Sequence, residues 1–206
     1  MIKNIIFDWS GTLIDDVIFT YSATMKVFEK IGIEEITLEK FKEEFILPYM
    51  NFYKKFKNNP DKKIIDEWFD KEMDLINKSK LFPEVKEVLE FLKQKEIKMI
   101  ILSSYCQESL EREIKDNNLQ NFFLNINGSV YDKTEAVIEI MQKNNFKKEE
   151  TICIGDMTYD IDMGKKAKIK IVAISQGYQS KEKLFEKNPD FLIENLGELK
   201  SFILKI

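Results

Sequence analysis

A carboxylate stands at the end of an apolar run near the start of the chain, where Ile2–Phe7 leads into Asp8 and then into Trp9-Ser10-Gly11-Thr12. An aspartate at the tip of a buried strand, followed by a turn of small residues, is how a parallel α/β sheet presents a nucleophile to a ligand. Attack by a carboxylate on phosphorus divides one difficult hydrolysis into two easier transfers. Asp8 is therefore the first candidate catalytic residue, and phosphoryl transfer is the chemistry that it indicates.

Further polar residues share one property: each follows a predicted strand or begins a predicted helix. They are Ser103 with Ser104, Lys133, and Asp156 with Asp160. The carboxyl ends of parallel strands meet at one edge of the sheet, and such sheets bind their ligands there. We therefore expect these side chains to converge on Asp8. The strand phase favours the hydroxyl of Ser103 over that of Ser104 as the one that faces the site.

The elements that must position these residues alternate from about Leu81 onward. The predicted strands after the first are short apolar runs at Lys98–Leu102, Phe123–Ile126, Thr151–Ile154, Ile169–Ile174 and Phe191–Ile193. The predicted helices are Val85–Gln94, Gln107–Asn117, Thr134–Lys143, Tyr159–Ala167, Lys181–Lys187 and a last one near Leu196–Leu204. This alternation predicts βαβ units, and therefore an α/β fold with a doubly wound, Rossmann-like parallel sheet. Continuous apolar runs at 100–102 and 152–154 are typical of central strands that are covered on both faces.

The segment between the first strand and this alternating region has a different pattern. Helical spacing of apolar residues covers Val17–Ile31, Leu38–Tyr49 and Ile64–Lys80, with Thr37 as a candidate cap of the second helix. Nothing in the segment is typical of a buried strand. We therefore predict a core domain formed by residues 1–15 and 81–206, and a small all-helical cap formed by residues 16–80.

The composition excludes several classes of site. The 206 residues include no histidine, which excludes a Ser-His-Asp triad and any histidine-ligated metal, and Arg112 is the only arginine. The net charge of −4 argues against a nucleic-acid binder. No apolar run approaches the roughly 20 residues of a membrane span, and no signal peptide is expected. Two cysteines, Cys106 and Cys153, indicate reduced core thiols and a cytoplasmic protein. A monomer and a dimer are both compatible with this composition.

Four segments together resemble the motifs of a known family. Asp8–Asp15 is similar to Asp-x-Asp-Gly-Thr-Leu-x-Asp, and Ile101-Leu102-Ser103 resembles a hydrophobic strand that ends in Thr or Ser. Lys133 resembles the third motif, although no proline follows it, and Gly155–Asp160 matches Gly-Asp-x-x-x-Asp. Over essentially its whole length the chain is similar to haloacid dehalogenase superfamily hydrolases with a helical cap inserted after the first motif. Within that superfamily it resembles the subgroup of phosphoglycolate phosphatases and phosphonatases.

The resemblance implies a role for each of these residues. Asp8 would be the nucleophile that forms an aspartyl-phosphate, and Lys133 would neutralise Asp8 and a phosphoryl oxygen. The implied Mg²⁺ ligands are the carboxylates of Asp8, Asp156 and Asp160 and the backbone carbonyl of Ser10. The implied phosphate donors are the Ser103 hydroxyl and the amides of Trp9, Ser10 and Ser104. The expected substrate is a small phosphorylated metabolite.

Ser10 is the position at which the chain departs from this family. Phosphatases of the superfamily carry there a second aspartate, which protonates the leaving oxygen and later deprotonates the attacking water. Three hypotheses follow. In the first, the chain is a hydrolase that acts on good leaving groups. In the second, it cleaves C–P bonds like phosphonoacetaldehyde hydrolases, with Lys54 or Lys55 as the candidate lysine for a Schiff base. In the third, it is a non-catalytic protein that binds phosphate and Mg²⁺.

Overall fold

The computed structural model describes residues 1–75 and 80–205, and the chain divides into two compact units. One unit consists of Met1–Ile14 together with Leu81–Ile206, and the other consists of Asp15–Lys80. Two-residue strands, β2 (Ile14–Asp15) and β3 (Lys80–Leu81), pair with each other at the two points where the chain passes from one unit to the other. Within the described residues, no helix is long and apolar enough to cross a membrane.

The larger unit is an α/β fold with one six-stranded sheet. Its strands are β1 (Asn4–Phe7), β4 (Lys98–Leu102), β5 (Phe123–Asn127), β6 (Thr151–Gly155), β7 (Lys170–Ile174) and β8 (Phe191–Ile193). Its helices are α5 (Val85–Gln94), α6 (Gln107–Asp116), α7 (Lys133–Lys143), α8 (Thr158–Ala167), α9 (Lys181–Glu186) and α10 (Glu198–Ile203). A short 3₁₀ turn at Lys148–Glu150 precedes β6. The strand order is β5-β4-β1-β6-β7-β8 and the pairings are parallel, which confirms the predicted fold class.

Alternate residues of the central strands face two separate apolar cores. On one face, Ile5 and Phe7 of β1 pack with buried residues of α5, α6 and α10. On the other face, Ile6 lies among buried residues of α7, α8 and α9. The strands β1, β4 and β6 are therefore covered on both sides, which explains why they read as continuous apolar runs rather than as an alternating pattern.

The order of the strands reverses at β1. The chain passes from β1 to β4 and β5 on one side, and then crosses to β6, β7 and β8 on the other side. Parallel sheets bind ligands at such a switch point, beyond the carboxyl ends of the strands, because connections leave in opposite directions and open a crevice there. The fold therefore places its ligand-binding edge next to the residue that follows β1.

The smaller unit, as far as the structure describes it, contains four helices. They are α1 (Val17–Ile31), α2 (Leu38–Glu44), α3 (Met50–Tyr53) and α4 (Lys62–Leu75). Its core is aromatic: Phe28 stacks on Phe52 with ring centroids 5.7 Å apart, and Phe41 lies 4.9 Å from Phe45. The predicted cap of α2 is confirmed, since the Thr37 hydroxyl accepts a hydrogen bond of 3.1 Å from the amide of Lys40.

Two predicted helix boundaries in this unit differ from the structure. The prediction of one helix over Leu38–Tyr49 is wrong, because α2 ends at Glu44 and Phe45 is already extended. Pro48 explains the early end: proline offers no amide to a helix and disfavours the helical conformation at the residue before it. The helix predicted over Ile64–Lys80 begins earlier, at Lys62, and is described as far as Leu75. Residues 76–79 of that prediction lie outside the described residues, and its last residue, Lys80, is wrong because it belongs to the strand β3.

Candidate active site

Asp8 is the first residue after β1, and the turn that follows holds its carboxylate in place. The side chain is buried, with 7% of its surface exposed, and its Oδ1 accepts a 2.7 Å hydrogen bond from the amide of Trp9. The carbonyl of Trp9 in turn accepts hydrogen bonds from the amides of residues 12–14. Gly11 has a φ of +71°, and a Cβ there would collide with the carboxylate of Asp156. The turn therefore requires glycine at this position.

Lys133 joins two of the carboxylates. Its Nζ lies 2.8 Å from Oδ2 of Asp8 and 3.0 Å from Oδ1 of Asp160, and all three side chains are buried. Lys133 is the first residue of α7, whose cap is Asp132: the Asp132 carboxylate accepts a 2.8 Å hydrogen bond from the amide of Thr134. Burial favours the neutral amine, but the two carboxylates outweigh it and raise the pKa of Lys133 above its usual range. The lysine is therefore a buried cation.

Asp156 and Asp160 are held by backbone and hydroxyl donors at the carboxyl end of β6. Oδ2 of Asp156 accepts a 2.7 Å hydrogen bond from the amide of Tyr178, and its Oδ1 accepts one of 3.3 Å from the Thr12 hydroxyl. Oδ2 of Asp160 accepts a 3.2 Å hydrogen bond from the amide of Met157, at the start of α8. These contacts fix both carboxylates in orientation and leave Oδ1 of Asp160 to Lys133.

The cluster carries more negative than positive charge. Carboxylate oxygens of Asp8, Asp156 and Asp160 all lie within 4.8 Å of one another, and Lys133 is the buried cation among the described residues. Burial raises the pKa of Asp8 to about 6, with Lys133 opposing and Asp160 adding to the shift. Burial and the charge of Asp8 also raise the pKa of Asp156 well above its usual range. Divalent cations such as Mg²⁺ prefer oxygen ligands that carry negative charge, and these three carboxylates provide them. The residues present therefore fit the metal that the family resemblance implies.

Serine side chains lie at the same edge of the sheet. Ser103 is the first residue after β4, and β4 pairs with β1 so that Phe7 is opposite Ile101, which places Ser103 one residue further along than Asp8. The buried Ser103 hydroxyl accepts a 3.1 Å hydrogen bond from the amide of Tyr105. Ser104 is half-buried beside it, and Ser10 is half-buried in the turn after β1.

Sequence reasoning missed one loop that supports the site. Residues 176–179 follow β7 at the carboxyl edge: the side chain of Gln176 donates a 3.0 Å hydrogen bond to the carbonyl of Thr12, and Tyr178 holds Asp156 through its amide. A Cβ on Gly177 would overlap the Asp156 carboxylate and the carbonyl of Gly11. The sequence signal for this loop was a glycine just past a predicted strand. The hydrogen bond from the Tyr178 amide could not be predicted, because almost any residue type can provide a backbone donor.

Fold and site together define an α/β enzyme with an acidic, lysine-bridged centre at the switch point of its sheet. The family model described as haloacid dehalogenase-like hydrolase matches residues 5–174, and the chain belongs to this family. It is thus a hydrolase of the haloacid dehalogenase type, and its curated relatives carry the names of phosphatases and pyrophosphatases.

Relatives of known name and structure cover almost the whole chain. The pyrophosphatase PpaX of Listeria welshimeri is 27% identical over 216 residues, with 98% of this chain and 96% of the relative covered. The phosphoglycolate phosphatase of Aquifex aeolicus is 25% identical over 220 residues, with 95% and 93% covered. A haloacid dehalogenase-like hydrolase from Streptococcus pneumoniae has a TM-score of 0.84 at 21% identity, with 98% of each chain covered. A hydrolase from Pseudomonas syringae reaches 0.85 at 17% identity, with 99% of each covered, and these two structural likenesses show the fold alone.

Proposed function

We propose that this chain is a Mg²⁺-dependent phosphohydrolase of small phosphorylated metabolites, with Asp8 as the nucleophile. The observation that carries the proposal is the setting of Asp8: a carboxylate at the switch point, held by the Trp9 amide at 2.7 Å and by Lys133 at 2.8 Å. Two further carboxylates, Asp156 and Asp160, lie within reach of one shared cation. Surface aspartates that merely cap helices are not buried together around a lysine in this way.

The roles of the residues follow from their contacts. An oxygen of Asp8 attacks phosphorus as the bond to the leaving oxygen breaks, which leaves an aspartyl-phosphate that water then hydrolyses. Lys133 offsets the negative charge of Asp8 and of an incoming phosphoryl oxygen as a point charge. The Ser103 hydroxyl, with the amides of the turns after β1 and β4, holds the remaining phosphoryl oxygens as charge spreads over them.

A metal bound at this cluster supplies the positive charge that lets an anionic nucleophile approach an anionic phosphoryl group. Asp8 and Asp156 would hold Mg²⁺ through their carboxylates, and the backbone carbonyl of Ser10 would add a third oxygen. Asp160 would act as a further carboxylate, directly or through water, while it orients Lys133 at 3.0 Å.

Ser10 sets the class of substrate. A general acid is worth about 10²–10⁴-fold in rate, or roughly 3–5 kcal/mol of barrier, and a serine hydroxyl does not supply one at neutral pH. We therefore propose substrates whose leaving group departs without strong protonation, which are acyl phosphates and phosphoanhydrides. Pyrophosphate is an anhydride of this kind, and the Listeria relative is named a pyrophosphatase.

The test is Mg²⁺-dependent phosphate release from acetyl phosphate, pyrophosphate, a sugar phosphate and p-nitrophenyl phosphate. We expect turnover of the first two that far exceeds that of the sugar phosphate, and none in Asp8→Asn. The matched control is Asp15→Asn, which changes an exposed aspartate of the same segment and leaves turnover unchanged. Equal rates on the sugar phosphate and pyrophosphate would refute the leaving-group restriction. The absence of phosphate release from all four compounds would refute hydrolysis and would favour C–P cleavage or simple binding.

A further inference from the structure

A buried tryptophan in the first turn has a charged partner far away in the chain. The side chain of Trp9 has no exposed surface, and its indole Nε1 donates a 2.9 Å hydrogen bond to Oε2 of Glu113 on α6. The other oxygen of the same carboxylate, Oε1, accepts a 3.2 Å hydrogen bond from the hydroxyl of Tyr105. Glu113 is thus shared between two aromatic donors that belong to different loops.

Each of the two donors is also bonded to the site through its own backbone. The amide of Trp9 donates to the carboxylate of Asp8 at 2.7 Å, and the amide of Tyr105 donates to the hydroxyl of Ser103 at 3.1 Å. The turn after β1 carries the proposed nucleophile, and the turn after β4 carries Ser103, which is proposed to bind the phosphoryl group. The Glu113 carboxylate therefore connects the two turns through the side chains of Trp9 and Tyr105.

A carboxylate is well suited to this position. An indole nitrogen can only donate, and a phenol that donates to the same group needs a second acceptor oxygen, which glutamate provides. The backbone of α6 is held independently, because Leu110 and Ile114 are fully buried in the core on that face of the sheet. An apolar residue at 113 would leave the indole N–H buried without an acceptor, and the Trp9 ring would have to shift to find one.

We propose that Glu113 is a positioning residue for hydrolysis: through Trp9 it orients the Asp8 carboxylate, and through Tyr105 it holds the turn that carries Ser103. This inference rests on the proposed function, since it assigns to Glu113 the alignment of the two turns around one phosphoryl group. Misplacement of a reacting group by an ångström costs about 100-fold in rate. We therefore expect Glu113→Leu to lower kcat/KM by roughly 10- to 100-fold.

The decisive measurement is the competitive inhibition constant of orthophosphate in the presence of Mg²⁺. This constant does not depend on how much of the enzyme is folded, so a variant that is merely destabilised keeps the wild-type value. We expect it to rise at least about fivefold in Glu113→Leu, the effect of losing one buried hydrogen-bond acceptor. Glu113→Gln keeps one carbonyl oxygen for the indole and an amide that can donate to the phenol oxygen, so it should stay close to wild type.

Two other variants complete the test. Glu108→Leu removes an exposed glutamate from the same helix and should leave the orthophosphate constant unchanged. Trp9→Phe replaces the indole by a smaller aromatic ring that has no N–H donor, so it should raise the constant as Glu113→Leu does. This variant provides the test if Glu113→Leu does not fold. A wild-type constant in both Glu113→Leu and Trp9→Phe, with only a lower melting temperature, would overturn this inference alone. A wild-type enzyme without Mg²⁺-dependent turnover or phosphate inhibition would overturn the proposed function and this inference with it.

Discussion

Lys133→Met is the substitution whose consequence follows most directly from the geometry. It removes the buried ammonium at 2.8 Å from Asp8 and 3.0 Å from Asp160 while keeping an unbranched side chain of similar length. At an effective dielectric constant of about 20, each of these two contacts is worth roughly 6 kcal/mol of Coulomb energy. The cost of burying the ammonium offsets several kcal/mol of that sum. Removing one partner of a buried ion pair typically costs 3–5 kcal/mol, and we expect about that loss in the free energy of unfolding.

The assay is urea unfolding of the metal-free protein at pH 7.5 and at lower pH, with EDTA present so that no cation replaces the lysine. In the wild type burial raises the pKa of Asp8 and Lys133 opposes that shift, so without Lys133 the folded-state pKa of Asp8 should rise further. A carboxyl group with a raised folded-state pKa favours the folded state when it is protonated. The loss of stability should therefore be largest above about pH 7 and should shrink as the pH falls towards 5.

A matched control separates charge at the site from the loss of any lysine. Lys143 ends the same helix and is exposed, so Lys143→Met should change the free energy of unfolding by less than about 0.5 kcal/mol. A loss below about 1 kcal/mol in Lys133→Met, or a loss that does not depend on pH, would show that the ammonium does not neutralise the buried carboxylates.

Three further outcomes can be checked on the same protein. Gly177→Ala should lower the affinity for Mg²⁺ by at least about tenfold in calorimetry, since its Cβ would overlap the Asp156 carboxylate. Gly197→Ala, where the nearest atom to a Cβ would be a side-chain oxygen at 3.0 Å, should leave the affinity unchanged. Mg²⁺ at about 100 times its dissociation constant should stabilise the wild type by roughly 2.7 kcal/mol in thermal unfolding, and Asp156→Asn should abolish most of that gain. Ser10→Asp should raise turnover of a sugar phosphate by up to about 10²–10⁴-fold and should change acetyl phosphate far less; an equal gain on both would contradict the role given to this position.

The sheet and the convergence of the site residues were predictable from the sequence. Central strands such as β4 and β6 are continuous apolar runs, and a parallel sheet brings the residues after those runs to one edge. Lys133 contacts both Asp8 and Asp160 in the structure, although Asp8 lies more than a hundred positions before the other two residues in the chain. Their order on an alternating α/β pattern was enough to place them together, because the connection rules of such sheets leave few alternatives.

Three other features of the structure could not be predicted from the sequence pattern. The strands β2 and β3 are two residues long, which is too short for any periodicity to show. The amide of Tyr178 holds Asp156, and a backbone donor can come from any residue type except proline. The bond between Trp9 and Glu113 depends on how α6 packs against the sheet, and sequence spacing does not report that packing.

Detection of a phosphorylated Asp8 would test the central claim most directly. Because Ser10 offers no base to the attacking water, the second transfer should be slow and the aspartyl-phosphate should accumulate during turnover of acetyl phosphate with Mg²⁺. Acid quenching followed by peptide mass spectrometry should find one phosphoryl group on the peptide that contains Asp8, sensitive to hydroxylamine and absent in Asp8→Asn. Wild-type turnover in Asp8→Asn, or a phosphoryl group on another residue, would contradict the assignment of Asp8 as the nucleophile.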